Sequence, residues 1–244
     1  MARGEKGRSG GGRSGGGKSG SSTPTGRQAT VRVKTARGRT VSSQRWLQRQ
    51  LNDPYVEEAK KRGYRSRAAF KLLQIDDQFK ILKPGGRIVD LGAAPGGWTQ
   101  VAVERVSSGK HKGVVIGIDI TPVEPIAGAT VLAKDFYDDD APAVLTELLG
   151  GPADVVMSDM AAAATGETQV DHMRIMGLAE TAHDFAREIL KPGGAFVAKV
   201  LRGGTERTLL DRLKKDFEKV RHFKPEASRA DSAEMYVVGT GFRG

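Results

Sequence analysis

The stretch Asp90-Leu91-Gly92-Ala93-Ala94-Pro95-Gly96-Gly97-Trp98 decides the reading of this chain. It follows the short apolar run Ile88-Val89 and opens a helical segment, so it is a strand, a glycine-rich turn and a helix in immediate succession. Glycines at such a turn let the backbone approach a ligand closely. A dinucleotide fingerprint, G-x-G-x-x-G, would need glycine where Ala94 stands, and Pro95 stiffens the turn further. A pyrophosphate site is therefore disfavoured. The spacing D-x-G-x-x-x-G fits instead the turn of S-adenosylmethionine enzymes, where the backbone meets a neutral nucleoside and an amino-acid carboxylate.

Working outward from the turn, further apolar runs recur at residues 114–118, 131–133, 155–157, 196–200 and 236–238, most of them separated by helical segments of ten or more residues. Strands alternating with helices imply an α/β fold, a mostly parallel sheet with helices on both faces. Ligands of such sheets bind outside the carboxyl ends of the strands. Asp119 ends the second run, where a carboxylate can accept both ribose hydroxyls of a nucleoside. Asp135 ends the third, placed for an adenine amino group with Phe136 beside the ring. Gly92, Gly96, Trp98, Asp119 and Asp135 are thus the expected cofactor-binding residues. Upstream, Ser42 or Ser43 can cap a helix carrying Trp46, Leu47 and Leu51. Asn52-Asp53-Pro54 breaks it, a second helix covers residues 55–61 and stops at Gly63, and Ser66 can cap a third.

Charge is distributed unevenly. Residues 1–40 hold ten Lys/Arg against Glu5 alone, and residues 41–71 hold eight against three acids; with a total of +10, the remainder is net −4. A basic end on a mildly acidic body suits a polyanionic partner. The first 26 residues are mainly Gly, Ser, Arg and Lys and cannot bury enough surface to offset chain ordering. Residues 1–40 are expected to be a disordered tail, and counterion release makes such a tail a non-specific RNA-binding arm. An Arg-rich, acid-poor start also fits an organellar transit peptide, although the glycine runs provide no amphipathic helix. No apolar stretch is long enough for a membrane span or a secretory signal. The chain has no cysteine, and His111, His172, His183 and His222 form no metal-binding pattern, so no metal site is expected.

Words throughout the chain resemble the FtsJ/RlmE family of ribosomal RNA 2′-O-methyltransferases. They are Arg45-Trp46-Leu47, Ser66-Arg67-Ala68-Ala69-Phe70-Lys71-Leu72, the segment from Val89 through Trp98, and Val155-Val156-Met157-Ser158-Asp159-Met160. Val197-Ala198-Lys199-Val200, Lys224-Pro225, Ser228-Arg229 and Glu234-Met235-Tyr236 follow in the family's order. The resemblance implies a Rossmann-like methyltransferase fold, a seven-stranded, mostly parallel sheet whose last strand is antiparallel. It divides the chain into the tail, a basic helical segment at 41–86 that contributes to RNA binding, and a core at 87–244. It also implies a catalytic tetrad of Lys71, Asp159, Lys199 and Glu234, with S-adenosylmethionine as cofactor. The substrate implied is large-subunit ribosomal RNA, at a uridine of the peptidyl-transferase A-loop in a ribosomal particle, acted on by a cytoplasmic monomer. The chemistry agrees. The sulfonium is already a strong electrophile, so the task is to hold a ribose hydroxyl in line and take its proton. Lys199 is the expected base, its neutral form favoured by the neighbouring cations. Asp159, also an expected cofactor-binding residue, would orient Lys199 or the sulfonium side, Glu234 would hold a Lys or the ribose, and Lys71 would orient the nucleophile or a phosphate. The chain departs from the family pattern at Ala162-Ala163-Ala164, where Pro-Asn is usual, and at Leu201-Arg202-Gly203-Gly204. Other readings are methylation of another RNA such as tRNA, a small-molecule O-methyltransferase, and a non-catalytic ribosome-assembly factor. The basic 41–71 segment opposes the small-molecule reading, and the intact tetrad opposes the assembly factor.

Overall fold

The computed structural model describes residues 1, 40–107, 112–162, 165–202 and 207–244. The expected tail lies almost wholly outside the described residues. Chain order is α1 (Val41–Leu51), α2 (Pro54–Arg62), α3 (Ala69–Phe79), β1 (Arg87–Leu91), α4 (Gly97–Val106), β2 (Val114–Asp119) and β3 (Thr130–Ala133). There follow α5 (Ala141–Leu149), β4 (Ala153–Ser158), α6 (Thr168–Ile189), β5 (Leu190–Leu201), α7 (Arg207–Asp216), β6 (Phe217–Phe223) and β7 (Glu234–Phe242). One seven-stranded sheet runs β3-β2-β1-β4-β5-β7-β6. β7 is antiparallel to both its neighbours, and all other pairings are parallel. The α/β class, the strand count and the antiparallel last strand are as the sequence and its family resemblance imply.

Strand period two divides the core between two helical layers. Ile88, Val115, Val155 and Val197 pack with α2, α3 and α4. Their alternates Val89, Ile116, Val156 and Phe196 pack with α5, α6 and α7. The sheet order reverses between β1 and β4, and a crevice opens above their carboxyl ends, as the topology requires.

Two expectations about helix starts are corrected. Thr40, not Ser42 or Ser43, caps α1, its hydroxyl accepting from the Ser43 N–H at 3.2 Å. No side chain caps α3, and the Ser66 hydroxyl is buried without a hydrogen-bond partner among the described residues. Ser66 lies under the glycine turn instead, where a Cβ on Gly97 would come within 2.5 Å of its oxygen. The second helix stops as expected, at Gly63 in the left-handed conformation.

Candidate active site

β1 delivers the glycine turn to the crevice. Gly92 has φ +79°, and a Cβ there would meet the Met160 backbone at 2.9 Å, so only glycine fits between the β1 and β4 termini. The Asp119 carboxylate at the end of β2 braces the turn by accepting the Ala94 N–H at 2.9 Å and the Thr121 N–H at 2.7 Å. Asp135, two residues past β3, accepts the Tyr137 N–H at 2.9 Å. Gly92, Asp119, Asp135 and Asp159 line one cavity of about 720 Å³ together with Ile118, Phe136 and Met160. Gly96 and Trp98 are not in its wall. The Trp98 indole is buried against Tyr236 with ring centroids 5.4 Å apart, and its N–H donates to the Ala68 carbonyl at 2.9 Å. Gly96 is crowded by Ile126 and Arg65, whose guanidinium holds the carbonyls of Glu124 and Pro125 at 2.6 and 2.7 Å.

Sheet parity explains how the tetrad meets. Asp159 lies two residues beyond Met157 and Lys199 two beyond Val197, so both face the α3 layer. β7 runs antiparallel to β5 with Lys199 opposite Tyr236 and Leu201 opposite Glu234. The first residues of β7 therefore sit at the carboxyl end of β5, and α3 supplies Lys71 from above. Lys199 Nζ donates to Asp159 Oδ1 and to the Asp159 carbonyl, both at 2.8 Å. Lys71 Nζ forms an ion pair with Glu234 Oε1. All four residues predicted to act together are thus in one cluster.

The sequence reading missed the group that joins the two pairs. Tyr236, fully buried, stands 2.8 Å from Asp159 Oδ1 and 2.9 Å from Glu234 Oε1 through its hydroxyl. Burial first, then the Asp159 and Glu234 carboxylates, push this phenol well above its ordinary pKa, so it remains a donor. A usable signal was present: Glu234 and Tyr236 are two apart on a strand, and a buried tyrosine hydroxyl needs a partner. Burial opposes ionisation of Asp159, but the charges of Lys199 and Lys71 and the hydrogen bonds from Lys199 and Tyr236 outweigh it and lower its pKa. Asp90, beneath the turn, behaves oppositely. Burial raises it to about 7 against a 2.6 Å hydrogen bond from Thr99, with Asp159 and Asp119 adding repulsion. Its second oxygen has no hydrogen-bond partner among the described residues.

The family model of FtsJ-like methyltransferases matches residues 64–242. The Ribosomal RNA large subunit methyltransferase E of Paramagnetospirillum magneticum is 66% identical over 208 residues, covering 84% of this chain and 85% of that protein. Its namesake from Xanthobacter autotrophicus is 60% identical over 207 residues, covering 85% and 82% respectively. A solved structure from Plasmodium falciparum, described as a ribosomal RNA methyltransferase, superposes with a TM-score of 0.66 at 30% identity. It is matched over its whole length and over 74% of this chain.

Proposed function

The chain belongs to the FtsJ-like methyltransferase family, and on that premise we propose that it methylates a ribose 2′-hydroxyl of large-subunit ribosomal RNA with S-adenosylmethionine. The relatives' names support the RNA class. The finer reading is a uridine of the A-loop within a ribosomal particle, modified by a cytoplasmic monomer. The observation that carries the reaction type is the hydrogen-bonded cluster of Lys199, Asp159, Tyr236, Glu234 and Lys71 beside the crevice.

The crevice fits the cofactor. Its size suits a nucleoside with a short side chain, and most of its lining is apolar with a few polar groups, as small-molecule sites require. Each of Asp119 and Asp135 already accepts backbone N–H groups, yet a carboxylate has about four acceptor positions and so retains capacity for ribose hydroxyls or an adenine amine. Three carboxylates against Lys134 and Arg174 leave the cavity lining net negative by one charge, which favours a cationic ligand over a pyrophosphate. Trp98 and Gly96 would contribute through the main chain of the turn, since the indole is otherwise engaged. When bound, the cofactor supplies a sulfonium methyl open to in-line attack by the ribose oxygen.

Lys199 takes the proton. A neutral amine has two N–H bonds and one lone pair, and the two oxygens of Asp159 that Lys199 meets occupy both donors. The lone pair is left for the ribose hydroxyl. The ammonium that proton transfer leaves on Lys199 is balanced by Asp159, whose ionised form that ammonium and Lys71 favour. The single Tyr236 O–H stands between the two carboxylates and can donate to Asp159 or to Glu234, and Glu234 in turn holds Lys71 toward the substrate side. General-base assistance of this kind is worth about 10²–10⁴ in rate.

The test is transfer of tritium from labelled S-adenosylmethionine to ribosomal particles from a strain lacking the gene. A 2′-O-methyl group makes the following linkage resistant to alkali, so label should appear in an alkali-resistant dinucleotide of large-subunit RNA. Label confined to tRNA, or released as a methylated base, would contradict the reading.

A further inference from the structure

Beside the tetrad lies a second cavity of about 300 Å³ that shares no lining residue with the cofactor crevice and whose seven lining residues are all polar or charged. Lys71 and Glu234 line it together with Arg49, Arg67 and Arg229. It shares four residues with a shallower groove of about 920 Å³ running along the α1–α2 corner. Resting on the function proposed above, we propose that this notch holds a backbone phosphate of the substrate RNA, that of the linkage 3′ to the methylated ribose, with Arg229 and Arg49 as its ligands.

Three observations support the assignment. The first is chemical. The methyl acceptor O2′ and the 3′-phosphate are on adjacent carbons of one sugar. A ribose presented to Lys199 therefore places that phosphate next to the acceptor, and the notch adjoins the Lys71–Glu234 end of the same cluster. The second is charge. Arg67 and Arg229 share a single carboxylate, Asp53, at 2.8 and 3.5 Å, so the pair retains an excess positive charge. Asp53 itself is nearly buried and also caps α2, which fixes the arrangement. Arg67 is further tied to the Ala227 carbonyl at 2.6 Å and acts as the scaffold. Arg229 and Arg49 are more exposed, and Arg49 reaches only a loose 3.8 Å contact with the solvent-exposed Asp231, which an arriving phosphate can displace. The third is an unsatisfied group. The Ser228 hydroxyl lines the groove, is 95% buried by a relative exposure of 5%, and has no hydrogen-bond partner among the described residues. That hydroxyl belongs to the groove and not to the notch, so a water bridging from the phosphate would complete it.

The test is binding of ribosomal particles from the deletion strain across a salt series, with Arg229→Gln, Arg49→Gln and Arg229→Lys, and Arg187→Gln in α6, on the opposite face of the sheet, as control. Each Gln variant should weaken binding at least about fivefold and reduce the slope of log affinity against log salt, by at most the roughly 0.7 that one phosphate contact to a single strand carries. Arg229→Lys should recover the slope, and cofactor affinity should be unchanged in all of them. Unchanged slopes would overturn the proposal. So would weaker binding at unchanged slope, which would make Arg229 merely a brace for its loop. Failure of the wild-type protein to label RNA would instead reject the proposed function.

Discussion

Asp90 shows how much one residue in the sheet can cost. It is fully buried on β1, with one oxygen served by Thr99 and the other by no described residue, and burial raises its pKa to about 7. Above pH 7 the folded protein carries the full penalty of a buried charge, whereas near pH 4 the carboxyl is protonated in the fold and the penalty disappears. The native state therefore binds more protons than the unfolded chain between about pH 4 and 7, and this group makes stability fall as pH rises through that window. Asp90→Asn should flatten that part of the profile and raise stability at pH 8 by roughly 1–4 kcal/mol, read from urea unfolding at several pH values. An unaltered profile would mean that Asp90 is already solvated or neutralised. Asp119 is the complementary case, a carboxylate with capacity to spare. Calorimetry on Asp119→Ala should show S-adenosylmethionine bound at least about tenfold more weakly, about 1.4 kcal/mol. Unchanged affinity would leave Asp119 as a turn brace alone.

At the level of elements, legibility in the sequence followed burial. β1, β2, β4 and β5 announce themselves because parallel central strands are apolar on both faces, and Ile88-Val89 or Val155-Val156 reads as such. β6 did not stand out as a run. Phe217-Glu218-Lys219-Val220-Arg221-His222-Phe223 is an edge strand with mostly solvent-facing charges, and only the family resemblance implied a seventh strand. The tetrad was legible as four separate motif words. The spacing of Glu234 and Tyr236 hinted at their contact, but the link from Tyr236 to Asp159 depends on the antiparallel register of β7 against β5, a long-range pairing that no local pattern encodes. The basic notch was hidden for the same reason, since Asp53 and Arg229 are far apart in the chain. β7 also meets β6 with little room: a Cβ on Gly239 would lie 2.8 Å from the Phe217 ring. Gly239→Ala should destabilise the protein by about 1–3 kcal/mol through overpacking, seen as a lower urea midpoint. An unchanged midpoint would show that Phe217 can move aside.

At the scale of the whole molecule, net positive charge is concentrated in the first 71 residues, and the proposed catalytic cluster is assembled from α3, the residue after β4, β5 and β7. No helix among the described residues is long and apolar enough to cross a membrane. The buried core of the described residues begins at Tyr55. Deleting residues 1–40 should therefore leave folding and cofactor affinity intact, while weakening RNA binding and flattening its salt dependence through loss of ten cations. An equal salt slope would exclude a binding role for that segment. The central claim is that the fold brings these distant segments together to make Lys199 a base, and its most direct test is single-turnover methyl transfer with Lys199 replaced. Lys199→Ala should keep cofactor and RNA affinity near wild type and lower the rate by about 10² or more. Lys199→Arg should fail to restore it, because a guanidinium does not give up its proton. A fully active Arg variant would contradict the account, leaving Lys199 as a positioning charge and the proton to depart to water.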